Sequence, residues 1–353
     1  MMFIPIILIS LRCIFGFNLN MNTNKLPSSW ETLRYSMKEN ARNWFINRAI
    51  RKGIPWNTLY KKYNEVEEKL EYYKNIKENK EISYPPYFLK PFHGYENGNM
   101  NWKAAEEAES ATLSIAAGYW ENVDPYTSQD WMRYNISENI KNYFSGVHGD
   151  IIGLGFPNKV LDMGCSTGIS TCFLKKTLPI GTEVNGIDLS PYFIAVADYY
   201  SDDFNLGIQY YHENAEHTNF KSKSFDFVTS NFLFHELPEN AAKNIIAESY
   251  RLLNNNGVIA IVDIDPINLN AQLNGNMFRK WAFEVTEPHI YNYYKRDTIK
   301  MLREAGFVNI RKDSNDPLNS IWFGTKEIME NKKPIIQRSS YTNKMNYNIL
   351  GVM

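Results

Sequence analysis

The chain has 353 residues, a formal net charge of −1, and 44% hydrophobic against 22% charged residues, enough apolar material for a sizeable core and for more than one minimal domain. Its Lys and Arg are interspersed with Asp and Glu instead of clustering, which argues against a nucleic-acid partner, whose phosphates call for a basic face. Cys13, Cys165 and Cys172 form neither a disulfide framework nor a Cys-x-x-Cys metal pair, and no His-Glu-x-x-His spacing occurs, so no metal is expected.

The first segment, MMFIPIILISLRCIFGF, has the apolar run of a signal-peptide core but lacks a basic n-region and is interrupted by Arg12; it is too short for a stable membrane span. A leader for a secretory or organellar route is the expectation, with a cytoplasmic extension as the alternative. An Asn-rich linker completes residues 1–29. From Trp30 onward Leu33, Met37, Trp44, Ile46 and Ile50 keep helical spacing until Gly53 and Pro55 break it, and a charged second helix follows. Next comes YPPYFLKPFHGYENGNMNW, Tyr84 to Trp102, which suits neither a helix nor a strand. Irregular aromatic loops of this kind often carry function. A helix with small residues on one side, AAEEAESATLSIAAGYW, follows, and residues 30–150 read as a helical and aromatic cap.

VLDMGCSTGIS, Val160 to Ser170, reads as a buried strand, a glycine turn and a helix start. Gly164 and Gly168 let backbone approach a ligand, and the free N–H groups of the helix attract polar or anionic groups. The pattern is Asp-x-Gly-x-x-x-Gly, not the Gly-x-Gly-x-x-Gly of dinucleotide folds. Asp162 would repel a pyrophosphate, yet it suits a cationic, amino-bearing ligand. A second strand, VNGIDLS, ends in Asp188 about twenty residues on, the usual reach to a ribose. A third ends before Asn214, Ala215 and Glu216. The fourth, in SFDFVTSNFLFHELPE, carries Ser230, Asn231, His235 and Glu236 at its end, where an open sheet binds ligands. RLLNNNGVIAIVDID then gives a helix end, an Asn-Asn-Gly turn and a fifth strand. A second aromatic stretch spans Trp281 to Tyr294. An amphipathic helix capped by Gly306 and two closing strands, FVNIRK and SIWFGTKE, complete the pattern before a polar tail at 331–353.

This order of segments resembles the Rossmann-like, class I S-adenosylmethionine-dependent methyltransferases. The resemblance implies a seven-stranded, doubly wound α/β sheet over 151–330 beneath a helical N-terminal cap, with S-adenosyl-L-methionine as methyl donor. It also implies that Asp162, Gly164, Cys165 and Gly168 surround the methionine portion, Asp188 and Leu189 the ribose, and Asn214 and Ala215 the adenine, with Asn231 nearby. Two positions depart from the family: Ser166 replaces its middle glycine, and Asn214 its adenine-binding acid, although an amide carbonyl still accepts from an amino group. No Asn-Pro-Pro-Tyr-like tetrad is present, which disfavours amino groups of bases or glutamine as acceptors.

KPFHGYENGNMNW, FHELP and TEPHIYNYY resemble, more narrowly, a group from photosynthetic lineages related to quinone-biosynthesis methyltransferases, a likeness that brings no substrate with it. The expected activity is O- or C-methylation of a small, planar or partly apolar acceptor, covered by the two aromatic stretches. His93, Tyr95, Trp102 and Tyr291 are candidates for its pocket. His235 is the candidate general base, because an imidazole ordinarily titrates near neutrality. Two alternatives remain open: a protein or nucleic-acid methyltransferase, which would need an open charged groove, and a cofactor-binding scaffold that has lost catalysis.

Overall fold

A computed structural model describes residues 30–120, 122–145, 155–273, 280 and 287–327, with the backbone alone at 30–39 and 60. The expected leader and the polar tail lie outside these residues.

The strands β1 (Lys159–Met163), β4 (Phe225–Asn231) and β5 (Leu253–Ile264) are rich in Val, Ile, Leu and Phe and are almost wholly buried, the composition of parallel strands covered on both faces. With β2 (Glu183–Asp188), β3 (Gln209–His212), β6 (Phe307–Ser314) and β7 (Asn319–Lys326) they form, among the described residues, a seven-stranded sheet in the order β3-β2-β1-β4-β5-β7-β6. β1 to β5 run parallel, and β7 lies antiparallel between β5 and β6. The α/β class and the antiparallel closing edge are as expected. The Asn-Asn-Gly turn is different. Strand pairing already begins at Leu253, and Phe225↔Leu253 is followed by Phe227↔Val258, so the turn is absorbed as a bulge with Asn256 in the left-handed region at φ 63°.

The helices are α1 (Trp30–Arg51), α2 (Trp56–Asn64), α3 (Glu67–Lys77), α4 (Trp102–Ala116), α5 (Pro125–Ser145), α6 (Ile169–Thr177), α7 (Pro191–Asp203), α8 (Glu239–Leu252), α9 (Pro266–Leu273), α10 (Ile290–Tyr293) and α11 (Thr298–Glu304). Alternation along the strands divides the core. Val160, Phe227 and Val262 pack with Ile140 of α5 and Leu174 of α6, while Leu161, Val228 and Ile261 pack with Ile245 of α8 and Leu302 of α11. Side-chain caps set the helix starts, with Asn101 accepting from the Ala104 N–H and Ser190 from the Phe193 N–H, the latter followed by Pro191.

α5 precedes residue 151 yet belongs to the sheet. Tyr143 stacks on Phe323 of β7 with centroids 4.2 Å apart, and Phe144 meets Phe227 edge-on. The boundary expected at residue 150 therefore divides a packed layer, because α5 packs on the sheet through Ile136, Ile140, Tyr143 and Phe144 as well as on α4 of the cap. The cap is made by α1 to α4, through Phe45, Ala49, Trp56 and Leu113 on one side and Tyr63, Leu70 and Ala105 against Phe193 and Val196 of α7 on the other.

Candidate active site

Strand order reverses between β1 and β4, and there the C-terminal strand ends diverge into a crevice. A cavity of about 1210 Å³ fills this crevice beneath α1, α4 and the segment from Tyr87 to Asn99. Small-ligand sites occupy roughly 300–1,000 Å³, so two ligands can share it.

One wall is built by the ends of β1, β2 and β3. Gly164, Ser166 and Gly168 turn the chain at φ 72°, 50° and 79°, and a Cβ at Gly168 would strike the Tyr210 hydroxyl. The turn aims the Ser166 N–H at Asp188 Oδ2, 3.0 Å away, and the Ser190 N–H reaches Oδ1 at 2.8 Å. The carboxylate is thereby fixed with lone pairs to spare. Burial pushes its pKa up to about 6, against the pull of these backbone donors. Gly164, Cys165, Asp188, Leu189, Asn214, Ala215 and Asn231 all line the cavity. Burial pushes the Cys165 thiol well above the ordinary range, which disfavours the nucleophilic thiolate form.

Two of the expected cofactor residues lie behind this wall. Asp162 is fully buried, accepts from the Thr171 hydroxyl at 2.7 Å and from Asn231 Nδ2 at 3.2 Å, and does not reach the cavity. Strand alternation puts it on the face of Val160, under α6, so it braces the turn from behind. Gly168 is likewise behind the wall, against Tyr210. Asn214 lines the cavity; its Oδ1 accepts the Glu216 N–H at 2.9 Å, an Asx turn that leaves the carbonyl a second lone pair.

The other wall lies at the ends of β4 and β5. His235 Nδ1 donates to Asp263 Oδ1 at 2.7 Å, and Asp263 also accepts the backbone N–H groups of His235 and Ile264. Arg296 holds this turn by donating to the carbonyls of Phe234 and Leu237. Burial alone would lower the His235 pKa, but the Asp263 carboxylate, with Glu236 and Glu287 beside it, more than offsets it and raises it to about 9. His93 Nε2 is 3.0 Å from Glu287 Oε1 and 3.5 Å from Glu236 Oε1. His93 and Tyr95 belong to the cavity lining; the other two pocket candidates do not. Trp102 donates to Glu71 Oε1 at 2.6 Å and packs edge-on against Tyr192, joining α4 to α3 and α7. Tyr291 is 58% exposed, on the outer side of α10. Residues 281–286 of the second aromatic stretch lie outside the described residues.

Residues 161–261 match the family model described as a methyltransferase domain. The chain carries a Rossmann-like, S-adenosylmethionine-dependent methyltransferase domain. This methyltransferase is 26% identical over 200 residues to an uncharacterized protein of Haemophilus influenzae, covering 54% of this chain and 77% of that one. It is 26% identical over 176 residues to the demethylmenaquinone methyltransferase of Staphylococcus aureus, covering 45% and 72%. Among solved structures it is similar to an O-methyltransferase family protein of Burkholderia thailandensis, at 16% identity and a TM-score of 0.47, covering 65% and 61%.

One residue of the first wall that could hold part of the donor, S-adenosylmethionine, carries no signal in the sequence. Arg133 of α5 lines the cavity beside the Gly164–Ser170 turn while being only 4% exposed. Its guanidinium donates to Ser170 Oγ at 2.7 Å and Thr112 Oγ1 at 3.1 Å and lies over the Phe232 ring. Its Nε is unpartnered, and among the described residues no carboxylate stands within ion-pairing distance. Burial pulls its pKa down to about 10, still cationic at neutral pH. The buried Asp162 carboxylate behind the wall acts on this guanidinium electrostatically without pairing with it, so Arg133 could hold the carboxylate of the donor's methionine portion and Asp188 a pair of ribose hydroxyls. Among the described residues no group of His, Cys, Asp and Glu is arranged to hold a metal ion, and no helix is long and apolar enough to cross a membrane.

Proposed function

We propose that this methyltransferase transfers its methyl group to a small, planar or partly apolar acceptor bearing an acidic hydroxyl, with O- or C-methylation as the outcome. The observation that carries the reading is that one cavity joins the Asp188 and Arg133 wall to the His235–Asp263 pair, under a roof of Tyr87, Phe88, Phe92 and Tyr95. A roofed cavity suits a compact molecule better than a polypeptide or a nucleic-acid strand. Aromatic side chains suit a flat one. The Staphylococcus aureus relative, by its name, acts on demethylmenaquinone, in keeping with the flat, partly apolar character of the acceptor.

The donor supplies a methyl group on a sulfonium, already activated for departure. The protein's part is positioning and exclusion of water. In this reading Asp188 holds the ribose, Arg133 the methionine carboxylate, and the Gly164–Ser166 turn lies alongside. His235, raised to about 9 by Asp263, is an imidazolium at neutral pH. It therefore steadies an acceptor oxyanion instead of removing a proton, which revises the general-base role expected from an ordinary imidazole.

The test is methyl-labelled S-adenosylmethionine incubated with the full chain and a cell extract that is then separated by mass. Label in a low-mass product supports the reading. Label in protein or nucleic acid would redirect it to a macromolecular acceptor, and cofactor binding without transfer would identify a scaffold.

A further inference from the structure

The cluster at the acceptor wall holds more acid–base chemistry than a methyl transfer steadied by one imidazolium needs. His235 Nε2 faces Glu236 Oε1 across 3.9 Å, too far for a hydrogen bond but right for one oxygen atom to bridge both at ordinary lengths. Such an oxygen would accept from Nε2–H and donate to the carboxylate. His93 reaches the same Glu236 Oε1 from the roof. It sits at the tip of a tight turn closed by mutual bonds between Phe92 and Tyr95, with His93 at φ 51° and Gly94 at φ 83°. Left-handed backbone at a non-glycine residue is a cost that persists where a clamp is needed. Beyond His93 stands Glu287, 5% exposed and lining the cavity, with Oε2 unpartnered among the described residues.

We propose, resting on the acceptor class inferred above, that Glu236 is the catalytic base for the acceptor hydroxyl and that His93 and Glu287 carry the proton away from it. The acceptor O–H bond breaks, its proton passes to the Glu236 carboxylate, and the oxyanion pairs with the His235 imidazolium. The oxyanion's electron pair forms the new bond to the methyl carbon, and the pair of the broken C–S bond returns to sulfur. Sulfonium and oxyanion charges cancel, which leaves one surplus proton on Glu236 for His93 and Glu287 to pass on. The groups facing Glu236 are His93 from the roof, His235 from its own turn, Asp263 from β5 and Glu287; His289 in turn faces Glu287. Burial raises Glu236 to about 7 even with both imidazoles pulling it down, while the His93 imidazole holds Glu287 below its ordinary value. The sign follows: the rate is lost as pH falls through about 7, where Glu236 protonates, and again as it rises through about 9, where His235 loses its proton.

The test compares wild type with Glu236→Gln, His93→Gln and His235→Gln, using methyl-labelled S-adenosylmethionine and the same cell extract across that pH range. Calorimetry with S-adenosylhomocysteine checks that each variant keeps a folded donor wall. Glu236→Gln should slow transfer at least about 100-fold, the lower end of what a positioned base contributes, and abolish the acidic limb. His93→Gln should slow it less and keep that limb. Loss of the acidic limb in His235→Gln but not in Glu236→Gln would overturn the assignment in favour of His235. If wild type binds S-adenosylhomocysteine and transfers no label, the functional reading has failed instead. The cluster is then judged by NMR titration of the histidines in the wild-type and Glu236→Gln chains: the proposal requires both His93 and His235 to titrate at lower pH in the variant, and unchanged midpoints would overturn it.

Discussion

A carboxylate pushed up to about 6 by burial, as Asp188 is, must be ionised to accept two hydroxyls at full strength. Affinity for S-adenosylhomocysteine should therefore be level above that value and fall as pH drops through it, and calorimetry across the range reads this directly. Asp188→Ala should weaken binding by about 1.5–3 kcal/mol, the range for hydrogen bonds to charged groups, and should flatten the part of the acid dependence that Asp188 contributes. Arg133→Met should cost a similar amount for S-adenosylhomocysteine yet leave methylthioadenosine, which lacks the carboxylate, almost unaffected. Equal losses for both ligands would make Arg133 a packing residue. Asp188 was legible because a strand-end acid has little freedom about which way it faces. The place of Asp162 is not legible in the sequence, since its identity suggests a ligand whereas alternation with Val160 places it under α6. Arg133 lies in a helix before the motif, and no local pattern distinguishes it from a solvent-facing arginine.

Between elements, the segment from Tyr87 to Asn99 does more than roof the acceptor. The Tyr95 hydroxyl donates to Glu107 of α4, which also pairs with Arg42 of α1. The Asn99 carbonyl accepts from Ser190 Oγ at 2.6 Å, at the cap of α7 and two residues from Asp188. Deleting Tyr95 to Asn99 should consequently weaken S-adenosylhomocysteine binding as well as transfer, in contrast to a loop that only shields the acceptor. The gentler change Tyr95→Phe, which removes one hydrogen bond, should lower the thermal midpoint while sparing donor affinity. The strands were readable from their apolar runs and turn residues. Their pairing was not: His235 meets Asp263 because β5 lies beside β4, with Asn231 opposite Val262, and that adjacency is written in no single segment. His93 and Glu287 are separated along the chain by the whole parallel sheet, so their contact depends on how the roof settles over it.

At the scale of the molecule, the proposed roles divide between two walls of one cavity, donor recognition at the ends of β1 and β2 and proton chemistry at the ends of β4 and β5. The division follows from the order of strands, which places the reversal between β1 and β4. Donor binding should stabilise the whole fold by mass action: S-adenosylhomocysteine at one hundred times its Kd should add about 2.7 kcal/mol, measured as a shift in the denaturant midpoint. The gain at that same concentration should shrink in Asp188→Ala. The most direct measurement of the account is a crystal structure of the chain with S-adenosylhomocysteine. The expected result is a ribose on Asp188, the amino-acid carboxylate on Arg133, and the sulfur turned toward the space between His235 and Glu236. A nucleoside bound elsewhere in the cavity, or a sulfur facing away from that pair, would contradict it.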